Sequence, residues 1–376
     1  MIPFIDLKAQ QARIRDDVDA RLKAVLDHGA YIMGSEVKEV ETELGKWAGC
    51  KHAISCSSGT DALILGLLGK QLKPRQGVIV PSFTFAASAE SIAVLGGVPV
   101  FAEVDPHSFN LDAQNLSAAL QAGIDAGIEV VGIMAVGLFG QPSDMVAIQN
   151  FANKHGLWTM DDAAQSFGAS LHDKVVGNLA DVTCTSFFPA KPLGCYGDGG
   201  ALFTDDDEIA EIAVSCRIHG MGKTKYHNDR IGMTARLDSM QAAVLLSKLS
   251  IFKDELEARQ KVADRYNALL GDVVATPRLI EGATSSWAQY TIKLPKHVKR
   301  EDVQASLASQ NVPTMIYYPI PMHKQAPYQH CPVANGNLAI TDGLCEVVLA
   351  LPMHPYLTEE QSEHIAKALI STLERG

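Results

Sequence analysis

Ser186-Phe187-Phe188-Pro189-Ala190-Lys191-Pro192-Leu193-Gly194-Cys195-Tyr196-Gly197-Asp198-Gly199-Gly200 is the stretch on which the reading of this chain turns. Apolar runs at 182–187 and 201–204 flank it and read as strands, with a glycine-rich turn rather than a helix between them. Upstream, short apolar runs at 53–56, 78–80, 98–103, 130–136 and 157–160 alternate with helical stretches near 60–72, 84–95, 112–121 and 143–155. That alternation predicts an α/β domain built on a mainly parallel sheet. Within the turn, Lys191 stands among two phenylalanines, two prolines and a leucine. Desolvation there disfavours the ammonium form and lowers the amine's pKa. A neutral amine is what carbonyl chemistry on a lysine requires.

The ends of the chain fit around this centre. Ile14, Val18, Leu22, Val25 and Leu26 share one helical face, so 9–28 reads as an amphipathic helix, and Val37, Val40, Leu44 and Trp47 mark a second. From Leu237 to about Leu270 runs one long helical pattern without proline. Strands at 288–294, 313–317 and 347–351, with helices at 301–309 and 358–373, suggest a smaller α+β part. The division is placed near residue 250, giving a large domain 1–250 and a small C-terminal domain 251–376.

Composition excludes several classes. At 376 residues, 47% apolar and 20% charged, the chain is long enough for a large core and ordinary for a globular protein. Net charge is −11 with basic residues scattered, which argues against a nucleic-acid surface. No apolar run reaches the roughly 18–20 residues of a membrane span. The start, Met-Ile-Pro-Phe-Ile-Asp, has no basic segment followed by an apolar one, so a cytoplasmic location is expected. Seven cysteines without a Cys-x-x-Cys pair speak against disulfides or zinc, and no metal is expected. Neither a G-x-G-x-x-G after the first strand nor a phosphate-loop motif with Gly-Lys-Ser/Thr occurs.

Three more features join Lys191. Ser57-Ser58-Gly59-Thr60-Asp61 lies between a strand and a leucine-rich helix, where free N–H groups and small hydroxyls suit a phosphate; an ordinary N-cap is the alternative. Asp161-Asp162-Ala163-Ala164-Gln165 ends a strand, the edge of an α/β sheet at which ligands bind. A carboxylate there holds a pyridine nitrogen protonated and Gln165 reaches a ring hydroxyl, unless the aspartates cap the next helix. Phe85, in Pro81-Ser82-Phe83-Thr84-Phe85, either stacks on that ring or belongs to the core.

Taken together, Ser-Ser-Gly-Thr-Asp-Ala-Leu, Asp-Asp-Ala-Ala-Gln-Ser-Phe-Gly-Ala, Ser-Phe-Phe-Pro-Ala-Lys-Pro-Leu-Gly, Gly-Asp-Gly-Gly-Ala and Arg-Leu-Asp-Ser-Met-Gln-Ala-Ala resemble the DegT/DnrJ/StrS sugar aminotransferases. The resemblance implies fold type I of the pyridoxal 5'-phosphate (PLP) enzymes and a homodimer with shared active sites. It also implies transamination from L-glutamate to a nucleotide-linked keto-sugar, in bacterial surface polysaccharide (lipopolysaccharide) synthesis. Carried over residue by residue, Lys191 looks like the cofactor-bearing lysine and Asp162 like the partner of the pyridine nitrogen. Gln165 matches the residue near the ring hydroxyl, Phe85 the stacking aromatic, and Gly59, Thr60 and Ser186 the phosphate cup. Gly29, Tyr31, Arg236 and Tyr318 match sugar-nucleotide contacts of the subgroup that aminates UDP-2-acetamido-2-deoxy-3-oxo-glucuronate.

Three positions depart from that subgroup. Thr234 stands where an asparagine usually reaches the partner subunit's phosphate, Ala190 where a serine is common, and Tyr317 where a histidine is common. The alternatives are a dTDP-linked 3-keto-6-deoxyhexose, a UDP-3-keto-N-acetylglucosamine, a PLP-dependent sugar dehydratase, or a silent PLP-binding regulatory protein. Dehydratase relatives place a histidine at the lysine position, and Lys191 weighs against that reading.

Overall fold

The computed structural model describes residues 2–224 and 226–375. Helices α1 (Leu7–His28) and α2 (Ser35–Ala48) lead into a central sheet formed by β1 (His52–Cys56), β2 (Gly77–Pro81), β3 (Val98–Ala102), β4 (Val130–Val136) and β5 (Trp158–Asp162). A separate two-stranded hairpin, β6 (Ser170–Leu171) with β7 (Lys174–Val175), follows, and the chain returns to the sheet as β8 (Val182–Ser186) and β9 (Gly200–Thr204). The order across the sheet is β1-β9-β8-β5-β4-β2-β3. From β8 to β3 every neighbour is parallel, whereas β9 runs against both β8 and β1. Parallel neighbours need a long crossover, usually helical. The β8–β9 connection holds no helix, and β9 accordingly comes back antiparallel.

Helices α3 (Gly59–Gly69), α4 (Ala86–Val94), α5 (Leu116–Asp125) and α6 (Met145–His155) supply the crossovers. β2 is buried along its whole length, as its unbroken apolar run requires of a central parallel strand. Ala62, Leu63, Leu65 and Leu67 of α3 are all buried, so this helix is covered on every side. The result is that the carboxyl ends of β1, β2, β4, β5 and β8 open on one edge of a rigid platform.

After α7 (Asp207–Cys216), α8 (Ser239–Leu270) runs unbroken for 32 residues, about 48 Å at 1.5 Å per residue. Its first half packs Ala242, Leu245, Leu246 and Phe252 against α2 and the loop after β8. Its second half places Val262, Ala263, Tyr266 and Leu270 in another core with Tyr290, Leu307, Leu349, Ile365 and Leu369. That core is built from β10 (Tyr290–Lys293), α9 (Arg300–Ser309), β11 (Val348–Leu351) and α11 (Glu359–Leu373), with β10 and β11 antiparallel, while α10 (Ala339–Val347) packs Leu344 and Cys345 with Phe83, Val104, Phe109 and Val136 instead.

Three differences from the sequence reading have physical causes. The segment 313–317 is no strand: only Met315 bridges to Ala350, because Pro313 brings no N–H and prolines at 319 and 321 cut the ladder short. Helix α7 was not anticipated, although Asp206 caps it by accepting from Glu208 and Ile209 N–H groups. Helix α10 was not anticipated either, and its cap is not local. Glu103, just beyond β3, accepts from the N–H groups of Ile340 and Thr341 at 2.9 Å each.

Where α8 meets the C-terminal core, His354 is buried with neither ring nitrogen hydrogen-bonded. Burial first, then the Arg259 guanidinium, pull its pKa from 6.5 to about 4. The folded ring therefore stays neutral while the unfolded one takes up a proton as pH falls from 6.5 toward 4. Stability from this site is complete above pH 6.5 and lost on acidification through that window, on the order of 3 kcal/mol. Urea midpoints measured across the window are expected to fall less steeply for His354→Leu than for the native chain.

Candidate active site

Asp162 ends β5 with its side chain buried at the carboxyl edge of the sheet. Ser88 Oγ of α4 donates to Oδ2 at 2.7 Å, and the Ala164 N–H donates to Oδ1 at 3.2 Å. Burial raises its pKa, opposed by those two hydrogen bonds and by the charge of Lys191. Asp161 points to the other face of the sheet, as neighbours in a strand must. Both its oxygens are buried without a partner, and burial followed by the charge of Asp162 pushes its carboxyl up to about 7. Asp162 is thus the member equipped to carry negative charge. Neither aspartate opens a helix: 164–168 is a turn.

Lys191 sits on the tight loop after β8. Its N–H donates to Phe188 O at 2.8 Å, Cys195 N–H to Phe187 O at 2.8 Å, and Phe187 N–H to Gly199 O at 2.7 Å. Glycine is required at 194, where a Cβ would lie 2.5 Å from Phe188 O and 2.6 Å from Pro189 O. Pro192 and Leu193 are buried, while Lys191 itself is partly open. Burial lowers its amine below the ordinary lysine range, with Asp162 pulling the other way. The amine and the Asp162 carboxylate therefore share one pocket.

Beside them the start of α3 meets the end of β8. Ser58 caps the helix, its Oγ accepting from Asp61 N–H at 3.0 Å, so the ordinary-cap alternative holds for this serine. Gly59 and Thr60 follow in the first turn, whose N–H groups have no partner within the helix. A Cβ on Gly59 would lie 2.6 Å from Ser186 Cβ, which shows how closely the two segments approach. Ser186 Oγ accepts from Phe188 N–H at 3.2 Å and keeps its own proton to donate. The first-turn N–H groups of α3 and the Ser186 hydroxyl thus lie close together, a setting whose donors suit an anion.

Gln165 closes the other side. Its Oε1 accepts from Phe139 N–H at 2.7 Å and its Nε2 donates to Tyr318 Oη at 3.3 Å. Phe139 holds a left-handed backbone, φ 60°, which aims its N–H at the glutamine and leaves the amide only one orientation. Phe85 is not core: it is 57% exposed at the start of α4, its ring centroid 6.1 Å from that of Tyr318. Tyr317 packs between Tyr318 at 5.7 Å and Phe4 at 6.5 Å. Ser88 and Phe139 are the contributors that sequence reasoning missed. Neither belongs to a motif, and only the folded register brings them to Asp162 and Gln165.

The remaining expected residues form a second group. Gly29 ends α1 in a left-handed turn, φ 70°, and Tyr31, 50% exposed, accepts through its carbonyl from Ser239 N–H at 2.9 Å. Ile32 bridges to Asp238, which lays 29–32 alongside the segment holding Thr234 and Arg236. Thr234 Oγ1 lies 2.8 Å from His219 Nε2. Arg236 Nε is buried without a hydrogen-bond partner, and among the described residues no carboxylate forms an ion pair with Arg236. Among the described residues, no hydrogen bond or ring contact joins this group to Asp162 or Lys191.

Comparison with known proteins sharpens this geometry. Residues 12–370 match the model of the DegT/DnrJ/EryC1/StrS aminotransferase family. The chain is 46% identical, over 98% of its length and 99% of the relative's, to the UDP-2-acetamido-2-deoxy-3-oxo-D-glucuronate aminotransferase of Pseudomonas aeruginosa. It is 37% identical, over 99% and 98%, to the UDP-N-acetyl-3-dehydro-alpha-D-glucosamine 3-aminotransferase of Acidithiobacillus ferrooxidans. A crystal structure of a DegT DnrJ EryC1 StrS aminotransferase from Brucella abortus superimposes with a TM-score of 0.95 at 46% identity, covering 98% of each chain. With a fold of type I, a buried amine facing a buried carboxylate, and a family model spanning nearly the whole sequence, this chain belongs to the DegT/DnrJ/EryC1/StrS family and is a PLP-dependent aminotransferase.

Proposed function

We propose that this enzyme moves the amino group of L-glutamate to a UDP-linked 2-acetamido-3-keto sugar, the 3-oxo-glucuronate, in the cytoplasm and for surface polysaccharide. The observation that carries the chemistry is the Asp162 carboxylate, buried and hydrogen-bonded, in the same pocket as the Lys191 amine. A buried carboxylate is costly unless a cation faces it, and a protonated pyridine meets that need. The Gly59–Thr60–Ser186 cradle fits the cofactor's phosphate, and Gln165 has one amide proton left for the ring hydroxyl. Bound PLP supplies the electron sink for the carbanion left when the donor's Cα proton departs.

The protein's residues do the rest. Lys191 Nζ, its pKa lowered by burial, takes the proton from the donor's Cα and in the return half delivers one to the sugar carbon. Asp162 holds the pyridine nitrogen protonated, and Phe85 covers one face of the ring. The large part up to residue 250 supplies these groups, and 251–376 supplies Tyr317 and Tyr318. Gly29, Tyr31, Thr234 and Arg236 stand apart from Lys191 and beside exposed Ile32 and Met33, which supports a homodimer in which they complete the partner's site. Arg236, with a buried and unpaired Nε, is suited to a bidentate grip on an anionic group of the sugar nucleotide. Tyr317 favours a second reading, because a phenol packed on Phe4 in place of a histidine suits an uncharged hexose or 6-deoxy sugar.

Lys191→Ala is expected to abolish turnover, and borohydride reduction of the native holoenzyme should label Lys191 and no other lysine. Asp162→Asn should cost about 10²-fold in kcat, roughly 3 kcal/mol of transition-state stabilisation, while Asp161→Asn is mild. The reverse pattern would exchange their roles. Gly59→Ala should weaken cofactor binding about tenfold or more in reconstitution titrations, because the new methyl displaces Ser186. The substrate is tested in the reverse half-reaction, by following the cofactor band as UDP- and dTDP-linked 3-amino sugars are added. Discharge by the UDP-3-amino-glucuronate supports the assignment. Discharge only by a dTDP-linked or 4-amino sugar refutes it and leaves the transaminase intact.

A further inference from the structure

Close in the chain to both aromatic residues of the pocket lies a polar contact that the transamination chemistry does not use. Ser82 follows β2 and is fully buried, with its N–H on Ala102 O at 3.3 Å. Its carbonyl accepts from Met322 N–H at 2.9 Å, and its Oγ accepts from His323 N–H at 3.0 Å. The same Oγ lies 2.7 Å from His323 Nδ1. Nδ1 is the one acceptor within reach of the hydroxyl proton among the described residues, so the hydroxyl donates to it. The imidazole is then the tautomer with hydrogen on Nε2, which faces Asp342 Oδ1 at 3.5 Å. Serine, histidine and aspartate in line suggest a hydrolytic triad, but the burial of Ser82 keeps its hydroxyl from any substrate.

The position of this contact gives it another use. Ser82 precedes Phe85 by three residues, and His323 follows Tyr318 by five. The Ser82 side is fixed by a central strand. The His323 side is a segment outside the sheet, with Pro319 and Ile320 exposed. We infer that the Ser82–His323 pair is a clasp that positions Tyr318 against Phe85 for the sugar, and that it opens when the imidazole is protonated. The inference rests on the aminotransferase reading of this pocket. His323 is a positioning residue here, acting through Tyr318.

Protonation turns Nδ1 from acceptor into donor and leaves the Ser82 hydroxyl proton with no acceptor among the described residues. Burial holds the imidazole pKa below its ordinary value; Asp342 opposes this, Lys324 assists it, and Glu103 opposes it weakly. Among the described residues those three are the charged groups that act on the ring, and Lys324 Nζ occupies Asp342 Oδ1 at 2.8 Å. The clasp is therefore closed at neutral pH and opens as pH falls below the histidine range.

Two measurements test this on the holoenzyme. Imidazole ¹⁵N shifts of selectively labelled protein should show His323 Nδ1 unprotonated at neutral pH. Ser82→Ala should raise its titration midpoint toward the ordinary histidine value. A protonated Nδ1, or a midpoint unmoved by Ser82→Ala, overturns the clasp whatever the sugar proves to be. In kinetics, Ser82→Ala should raise the KM for the UDP-linked 3-amino sugar about three- to tenfold, the loss of a neutral hydrogen bond, with kcat and the KM for L-glutamate changed less than about twofold. His323→Asn keeps an acceptor near Nδ1 without a titrating group, so it should retain the low sugar KM and lose its rise in acid. An acid rise that persists in His323→Asn, or a kcat loss in place of a KM rise for Ser82→Ala, overturns the positioning role. If native enzyme is inert toward every UDP- and dTDP-linked sugar, the substrate reading fails, and the imidazole titration still decides the clasp.

Discussion

A carboxylate buried at the end of a parallel strand is the constraint from which the architecture of this site follows. Taking Asp162 out of water is expensive, and the fold offsets that with the Ser88 hydroxyl, the Ala164 N–H and the nearby Lys191 amine. Each partner comes from a different element: α4, the turn after β5, and the loop after β8. Holding one anion in place therefore fixes three segments relative to each other. Asp161, one residue earlier and facing the other way, has none of these partners and answers burial by holding its proton up to about pH 7. Two neighbouring aspartates are thus distinguished by nothing more than strand pleat.

The sheet arranges the rest by exploiting an exception to its own rule. Parallel strands deliver loops to one edge, and every pocket segment but the 317–318 stretch arrives that way. The β8–β9 loop leaves the same edge but spends no residues on a crossover helix, and β9 returns antiparallel. The loop's own N–H groups close on its carbonyls, Lys191 donating to Phe188 and Cys195 to Phe187, so the lysine is held by backbone rather than by side-chain contacts. Opposite it, the strained Phe139 orients Gln165, and through it Tyr318.

Much of this was legible in the sequence, and the part that was not has a common cause. The alternation of apolar runs and helical stretches announced the parallel sheet, and local motifs singled out Asp162, Gln165, Lys191, Gly59 and Ser186, which lie at the carboxyl edge of that sheet. Elements held by distant partners did not announce themselves. Ser88 is one serine among several until α4 is laid beside β5. Ser82 and His323 are 241 residues apart, and nothing near either residue names the other. The stretch 313–317 has a strand's composition, yet the prolines around it leave room for only one bridge.

The cap of α10 carries this dependence into the order of assembly. Nine residues make a helix too short to persist alone in water. The groups that anchor its first turn belong to Glu103, 237 and 238 residues earlier in the chain. Until β3 has joined the sheet and closed that very long loop, the helix has no nucleus on which to grow. The α10 segment is therefore among the last to be recruited during folding, and native-state hydrogen exchange at its first turn reports on docking to the sheet rather than on helix propensity.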